Sequence, residues 1–185
     1  MNKANTKIAI AELHTAFHMF NKEWFNSELP EPAILIQSRG NKKNVLGWCS
    51  VDKLWQNSKE GDKRWEINIV AESLNRPLDE IMCTLLHEMV HLHNLVKGIK
   101  DTSRNGTYHN KKYRDTAEVH GLYIEHDKKI GWSLSKLTER SQSIVKNYKI
   151  NPDAFNLSRV DPNAIGEGEE DHLLEGGYAL VVVLS

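Results

Sequence analysis

The chain has 185 residues, of which 26% are charged, and a formal net charge of −1. Its length allows one domain with a real hydrophobic core plus a tail. The two cysteines exclude a disulfide framework and a four-cysteine zinc site, and no apolar run is long enough to span a bilayer. With no signal peptide in view, we expect a cytoplasmic protein that does not associate with membranes.

The first part of the chain predicts one helix followed by three strands. Residues 8–26 carry apolar side chains at helical spacing, and the strands are predicted at 33–38, 46–51 and 65–71. The stretch 57–63 contains Gly61-Asp62 and predicts a turn. The apolar positions of the helix, which we expect to form core, are Ile10, Leu13, Phe17, Phe20 and Trp24.

Residues 75–98 predict a second helix. Asn75 is a candidate N-cap, and Gly98 is a stop signal. At about 100° per residue one stripe of the helix is apolar, and His87 and His91 fall on the opposite side. The stripe consists of Leu78, Met82, Leu85, Met89, Leu92 and Val96.

The segment His87-Glu88-Met89-Val90-His91 is an H-E-x-x-H motif within this helix. Residues four apart lie on one helix face, so both imidazoles can point at one metal ion. Glu88 sits beside them, where a carboxylate can take the proton of a metal-activated water. The motif therefore indicates a zinc hydrolase, with His87 and His91 as ligands and Glu88 as general base.

A catalytic zinc ordinarily has a third protein ligand. The metzincin extension of the motif is absent, because Asn94 and Lys97 occupy the positions that it requires. Two downstream candidates remain, His109 and Glu118. If residues 108–122 are helical, these two side chains lie on opposite faces, so they cannot both serve.

The rest of the chain predicts a hairpin, a helix and a tail. Residues 123–133 form the predicted hairpin, and residues 134–148 the last helix. The segment 151–185 is predicted to be a tail that is acidic and flexible in its middle part. Its apolar end, residues 179–184, is β-prone.

These residues together resemble the SprT-like metalloprotease family, which includes the Spartan proteases. Members carry H-E-x-x-H on one helix and a third histidine at the start of the next, followed four positions later by an aromatic residue. Here these are the run 87–95, His109 and Tyr113. The resemblance covers about residues 8–150 and includes the upstream segments Trp24-Phe25-Asn26, Leu29-Pro30 and Leu46-Gly47-Trp48.

The resemblance implies an α+β, zincin-like domain of the minigluzincin type over residues 1–150, with a small mixed sheet packed on the active-site helix and flanking helices. It implies a metallopeptidase for protein or peptide substrates, with Zn²⁺ held by His87, His91 and His109 and with Glu88 as general base. Many relatives end in a zinc ribbon of paired cysteines, which this chain lacks. Two other classes stay open: a catalytically quiet zinc module that binds DNA or protein, and a zinc hydrolase that acts on something other than protein.

A donor for the developing oxyanion is also expected. Tyr108, Tyr113 and His120 are the candidates near the third histidine, and each is equally compatible with a structural role. Tyr113 could also pack beneath the metal or orient one of its ligands.

Charge is unevenly distributed along the chain. The residues after 160 include six acidic and no basic side chains, so residues 1–160 carry a net charge of +5. A basic cluster around the third histidine could contact phosphates, and a solvated helix surface explains it equally well. Because Spartan relatives cleave proteins crosslinked to DNA, the resemblance adds DNA as a possible partner. The cluster consists of Lys97, Lys100, Arg104, Lys111, Lys112 and Arg114.

Overall fold

Four α-helices and nine β-strands make up the described part of the chain, residues 4–40, 45–59 and 61–159 of a computed structural model. This mixed architecture of helices and small sheets is compatible with the predicted α+β class. In chain order the elements are α1 (Thr6–Phe25), β1 (Ala33–Gln37), β2 (Gly47–Cys49), β3 (Trp55–Gln56), β4 (Lys63–Arg64), β5 (Glu66–Val70), α2 (Leu78–Val96), β6 (Thr102–Ser103), β7 (Tyr108–His109), α3 (Lys111–Val119), β8 (Leu122–Asp127), β9 (Gly131–Leu137) and α4 (Glu139–Tyr148).

The first helix forms where the sequence predicts it. The Asn5 side chain accepts a hydrogen bond from the Ile8 backbone N–H at 3.0 Å, which satisfies one free donor of the first turn. The helix ends at Asn26, whose left-handed backbone (φ 53°) suits an asparagine. Leu13, Phe17 and Phe20 of α1 are fully buried in the core.

A three-stranded sheet in the order β1-β5-β2 follows α1. β1 runs parallel to β5, and β2 runs antiparallel to it, so all three predicted strands are confirmed with small shifts of their ends. All five residues of β5 are buried, including the polar Glu66 and Asn68, because β5 is the central strand. The predicted turn lies in a small hairpin of β3 and β4, two strands that the sequence did not predict.

The second helix begins later than expected. Pro77 occupies the N-cap position, so the prediction of Asn75 as N-cap is wrong. Gly98 follows the helix with φ +68°, in agreement with its prediction as a stop signal. Instead of burying one stripe, α2 is buried from Ile81 to Leu92 on all sides, because it contacts α1, α3, the first sheet and β9.

The region after α2 contains more strand than predicted. β8 and β9 form the expected hairpin, and with β6 and β7 they make a four-stranded sheet in the order β6-β7-β9-β8. The predicted helix from residue 134 is wrong in its first turn, since β9 continues to Leu137 and α4 begins after the Thr138 N-cap. Burial along β9 alternates residue by residue, which is the period of a strand and not of a helix.

The core extends beyond α4. Ala154 and Phe155 lie in a short 3₁₀ turn and are buried in contact with α1. Most of the predicted tail, residues 160–185, lies outside the described residues. Among the described helices, none combines the length and the apolarity needed to cross a bilayer.

Candidate metal centre

Three histidine side chains meet in the interior between α2 and β7. The Nε2 atom of His109 lies 3.2 Å from Nε2 of His87 and 3.0 Å from Nε2 of His91. All three residues are buried. In a tetrahedral zinc site with Zn–N bonds of about 2.1 Å, ligand nitrogens are about 3.4 Å apart. The structure thus brings the three predicted histidines together at nearly the spacing that one zinc ion requires.

The local fold explains why these three rings converge. His87 and His91 stand one turn apart on α2, so they project from the same face. His109 lies in β7, before Asn110 caps α3, so the helix considered for residues 108–122 begins only at Lys111. This short strand pairs with Gly131 of β9, and that pairing fixes the backbone of the third histidine.

The outer nitrogen of His91 has an acidic partner. Its Nδ1 lies 2.7 Å from Oδ2 of Asp101, which also accepts a hydrogen bond from the Asn94 amide at 2.9 Å. Because a carboxylate only accepts, Nδ1 of His91 carries the proton and Nε2 presents a lone pair. Burial acts to raise the pKa of Asp101, but His91 and Asn94 outweigh burial and the pKa is lowered.

The outer nitrogen of His87 has a hydroxyl partner. Its Nδ1 lies 2.7 Å from Oγ of Ser135, and that hydroxyl donates to the Ser133 carbonyl at 3.3 Å. A hydroxyl that donates to this carbonyl accepts from Nδ1 of His87, an arrangement that leaves Nε2 of His87 with a lone pair. For His109 the outer nitrogen is buried with no hydrogen-bond partner in the described part of the chain.

The pKa values of two of the rings, those of His87 and His109, are lowered. Burial, with the neighbouring His91 and His109, lowers the pKa of His87 well below its ordinary value. Burial and His91 lower the pKa of His109 to about 3. Imidazoles that resist protonation in this way are free to donate their lone pairs to a cation near neutral pH.

Tyr113 lies directly against the three rings. Its ring centroid is 4.6 Å from that of His87, 4.5 Å from that of His91 and 4.7 Å from that of His109. The side chain is fully buried, and it fixes the position of all three imidazoles by packing. Tyr113 therefore packs against the histidine cluster.

The carboxylate of Glu88 is buried beside the first sheet. No side chain among the described residues donates a hydrogen bond to its oxygens, and the backbone N–H of Cys49 acts to lower its pKa. Gly47 of β2 is close, since a Cβ atom placed there would lie 3.1 Å from Oε1 of Glu88. Burial, and secondarily the charge of Asp101, raises the pKa of Glu88 well above its ordinary value.

A model of the SprT-like family matches residues 13–140. The chain belongs to the SprT-like family. The match runs from α1 to the start of α4 and includes the three histidines and Glu88. No curated protein and no solved structure matches the chain.

The remaining candidates raised from the sequence lie elsewhere in this SprT-like domain. Glu118 is on the exposed face of α3, outside the histidine cluster. His120 stacks on Phe25 with a centroid distance of 4.4 Å. Tyr108 directs its hydroxyl to Nε2 of His126 at 3.2 Å. The structure therefore does not bring Glu118 to the cluster.

The two cysteines are both buried and unpaired. Burial raises the pKa of Cys83 to about 12, and it raises the pKa of Cys49 well above the ordinary thiol value. Both thiols therefore stay protonated near neutral pH. Both side chains are small packing residues of the core.

Sequence reasoning missed Asp101 and Ser135, the partners of the outer imidazole nitrogens. Asp101 lies in the connection between α2 and β6, and no motif spacing marks it. Ser135 was assigned to the predicted last helix, although the alternation of β9 contained a signal for a strand. A period-two reading of that segment would have placed Ser135 on the buried face.

Proposed function

We propose that this SprT-like protein is a zinc-dependent metallopeptidase. The observation that carries the proposal is the convergence of three imidazole Nε2 atoms on one point, with the buried carboxylate of Glu88 next to His87 in the sequence. Two further features support it: the partners of the outer imidazole nitrogens and the sheet edge next to Glu88.

The donor set suits zinc. Hydrogen bonds at Nδ1 orient the lone pairs of His87 and His91 inward, and three nitrogen ligands leave a coordination position for a water or a substrate. Imidazole donors favour Zn²⁺ over Mg²⁺ or Ca²⁺, which prefer oxygen ligands. When bound, Zn²⁺ supplies Lewis acidity: it lowers the pKa of a coordinated water to about 7 and polarises a carbonyl oxygen.

Glu88 acts as the general base in this proposal. Its raised pKa moves the carboxylate toward the operating pH, where proton transfer in both directions is efficient. Because no side chain among the described residues donates to it, the carboxylate can accept a proton from the attacking water. It then delivers that proton to the amine that leaves.

The substrate in this proposal is an extended peptide. β2 is an edge strand of the described sheet, and its Gly47 lies beside Glu88. An extended segment can add to such an edge through main-chain hydrogen bonds, as in the zincin-like arrangement that we infer for this domain. Glycine at this point keeps the space between strand and carboxylate open.

A catalytically quiet zinc module and a zinc hydrolase for other substrates explain fewer features of the site. A quiet binding module has no use for the fully buried carboxylate of Glu88, since burial of such a group costs stability. A hydrolase for small molecules is better served by a closed pocket than by a sheet edge. The peptidase is therefore the function that the site supports best.

Association with DNA remains a proposal of its own. Within the basic cluster, Lys97 pairs with Glu28 at 2.9 Å, and Arg114 pairs with Asp115. An open pocket of about 420 Å³ adjoins β7 and is lined by Tyr108, Asn110, Lys111, His126 and Trp132. Arg104 lies over Tyr108 and Arg114 over Trp132, and such aromatic and cationic surfaces suit stacked bases and phosphates.

The test is cleavage of casein by the full chain after metal removal with a chelator and reloading with Zn²⁺. We expect no cleavage by the stripped protein, cleavage after zinc is restored, and none after Mg²⁺ is added instead. Zinc-loaded protein that leaves casein and itself intact would contradict the proposal.

Parallel reactions with single-stranded DNA test the association with DNA. An unchanged cleavage rate and no DNA binding would contradict that association.

A further inference from the structure

A second group of metal-ligating side chains lies on the far side of α1 from its core face. His14 and His18 stand one turn apart on this helix, and Glu31 approaches them from the segment before β1. Nδ1 of His14 lies 2.9 Å from Oε1 of Glu31, and Nε2 of His18 lies 3.4 Å from Oε2. One carboxylate thus contacts two imidazoles, and the ligand atoms all lie within 4.8 Å of one another.

The backbone around Glu31 is held in place. Its neighbours Pro30 and Pro32 restrict the local chain to extended conformations. Two residues earlier, Leu29 is fixed to α1 by the buried Asn21 amide, which donates to the Leu29 carbonyl at 3.0 Å and accepts from its N–H at 3.1 Å. The carboxylate is therefore presented to the two histidines by a rigid support.

The arrangement meets the requirements of a transition-metal site. Two imidazole nitrogens and one carboxylate oxygen form a mixed ligand set that suits Zn²⁺ better than Ca²⁺ or Mg²⁺. The side chains of His14, His18 and Glu31 are 36%, 64% and 33% exposed. They can therefore shift to bond lengths of about 2.0–2.2 Å at little cost, and water can fill the remaining coordination position.

This group is separate from the first histidine cluster. The core face of α1, with Leu13, Phe17 and Phe20 buried, lies against the interior that contains α2. His14 and His18 lie outside that face and share no residue with the ligand set of His87. Each group can therefore be emptied by a substitution that leaves the other intact.

We propose that His14, His18 and Glu31 form a second zinc site, which ties the middle of α1 to the segment leading into β1. An ion held there bridges α1 and the segment before β1. Because it binds the folded chain, it stabilises the folded state increasingly as the free zinc concentration rises above its Kd. The site contributes no residue to the proposed peptidase chemistry.

The test is zinc content by elemental analysis of the full chain, dialysed at a fixed free zinc concentration near pH 7.5. We expect His18→Ala and Glu31→Gln each to hold one zinc ion fewer than the wild type. His126→Ala removes an exposed histidine outside both groups and should hold as many ions as the wild type. Unchanged zinc content in both His18→Ala and Glu31→Gln would overturn the proposal.

His109→Ala distinguishes zinc binding at the first histidine cluster from zinc binding at the second site. If only the second site binds zinc, His109→Ala keeps the wild-type content while His18→Ala loses its ion, and the peptidase proposal fails alone. If only the first site binds, the reverse holds and the second-site proposal fails alone. A thermal readout adds a check: added zinc should raise the unfolding midpoint of His126→Ala more than that of His18→Ala.

Discussion

Oδ2 of Asp101 accepts the Nδ1 proton of His91 at 2.7 Å, and the same oxygen accepts from Asn94. This contact fixes the tautomer of His91 and turns its lone pair inward. Hydrogen-bond partners of metal-ligating histidines ordinarily raise metal affinity by a factor of about 10–100. The connection between α2 and β6 therefore contributes to the proposed zinc site without supplying a ligand.

Replacing Asp101 tests this support. We expect Asp101→Asn to weaken zinc affinity about 10–100-fold, because the charged acceptor that orients His91 is lost. Competition with a chromogenic chelator measures the affinity. Asp115→Asn, which changes an exposed carboxylate on α3, is the matched control. Equal affinities for wild type and Asp101→Asn would remove Asp101 from this role.

The third ligand can be tested by a pair of alanine variants. His109→Ala should lose most of the zinc affinity, since it removes one of three converging nitrogens. Glu118→Ala should leave the affinity unchanged, because its side chain is exposed on α3. Titration of each purified variant with Zn²⁺ checks this, and strong binding that depends on Glu118 would point to a carboxylate as third ligand.

Gly47 is predicted to tolerate no side chain. A Cβ atom there would lie 2.9 Å from both the Asn68 carbonyl oxygen and Cγ2 of Thr84, and 3.1 Å from Oε1 of Glu88. We expect Gly47→Ala to lower the free energy of unfolding by about 1–3 kcal/mol and to reduce cleavage. Urea unfolding measures the first effect.

A second substitution identifies the cause of that loss. Thr84→Ser removes the Cγ2 atom and keeps the hydroxyl that accepts from Arg76 and donates to Glu80. Gly47→Ala combined with Thr84→Ser should recover part of the lost stability. If Gly47→Ala is as stable as the wild type, β2 does not approach α2 at Gly47 as closely as the structure shows.

The contribution of Glu72 to the free energy of unfolding is predicted to depend on pH. Its Oε1 accepts from Ser38 at 2.5 Å, and its Oε2 accepts from the Arg39 N–H at 3.1 Å. Burial acts to raise the pKa of Glu72, but these bonds and one from Arg159 outweigh it, so the pKa is below its ordinary 4.5. A lowered pKa in the folded state means that the stabilisation is present above pH 4.5 and is lost as the pH falls through the folded value.

We therefore expect Glu72→Gln to lower the free energy of unfolding by about 1.5 kcal/mol at pH 7 and by less near pH 3. Urea unfolding at both pH values compares the variant with the wild type. Glu139→Gln, on the exposed N-terminal turn of α4, is the control. A difference that stays constant between the two pH values would contradict the assignment.

The sequence predicts the elements whose signal is local. The apolar spacing of α1, the short apolar strands of the first sheet and the turn of the β8–β9 hairpin all form where the pattern places them. The H-E-x-x-H spacing likewise predicts that His87 and His91 share a face, because helix geometry alone decides this. These features depend on a few consecutive residues.

Features that depend on tertiary contacts could not be predicted. The strand character of residues 134–137 comes from pairing with β8, where Leu122 lies opposite Leu137, and this pairing overrides a sequence that also suits a helix. The burial of α2 on all sides results from neighbours that are distant in sequence. Asp101 meets His91 only because the chain turns after α2, and no spacing rule encodes that meeting.

The central claim is tested most directly by the initial rates of casein cleavage by zinc-loaded wild type and Glu88→Gln, measured side by side with zinc content. Glu118→Gln serves as an exposed control on the next helix. We expect equal zinc content in all three proteins and the wild-type cleavage rate for Glu118→Gln. For Glu88→Gln we expect a cleavage rate at least about 100-fold lower. Cleavage by Glu88→Gln at the wild-type rate, with zinc bound, would contradict the central claim.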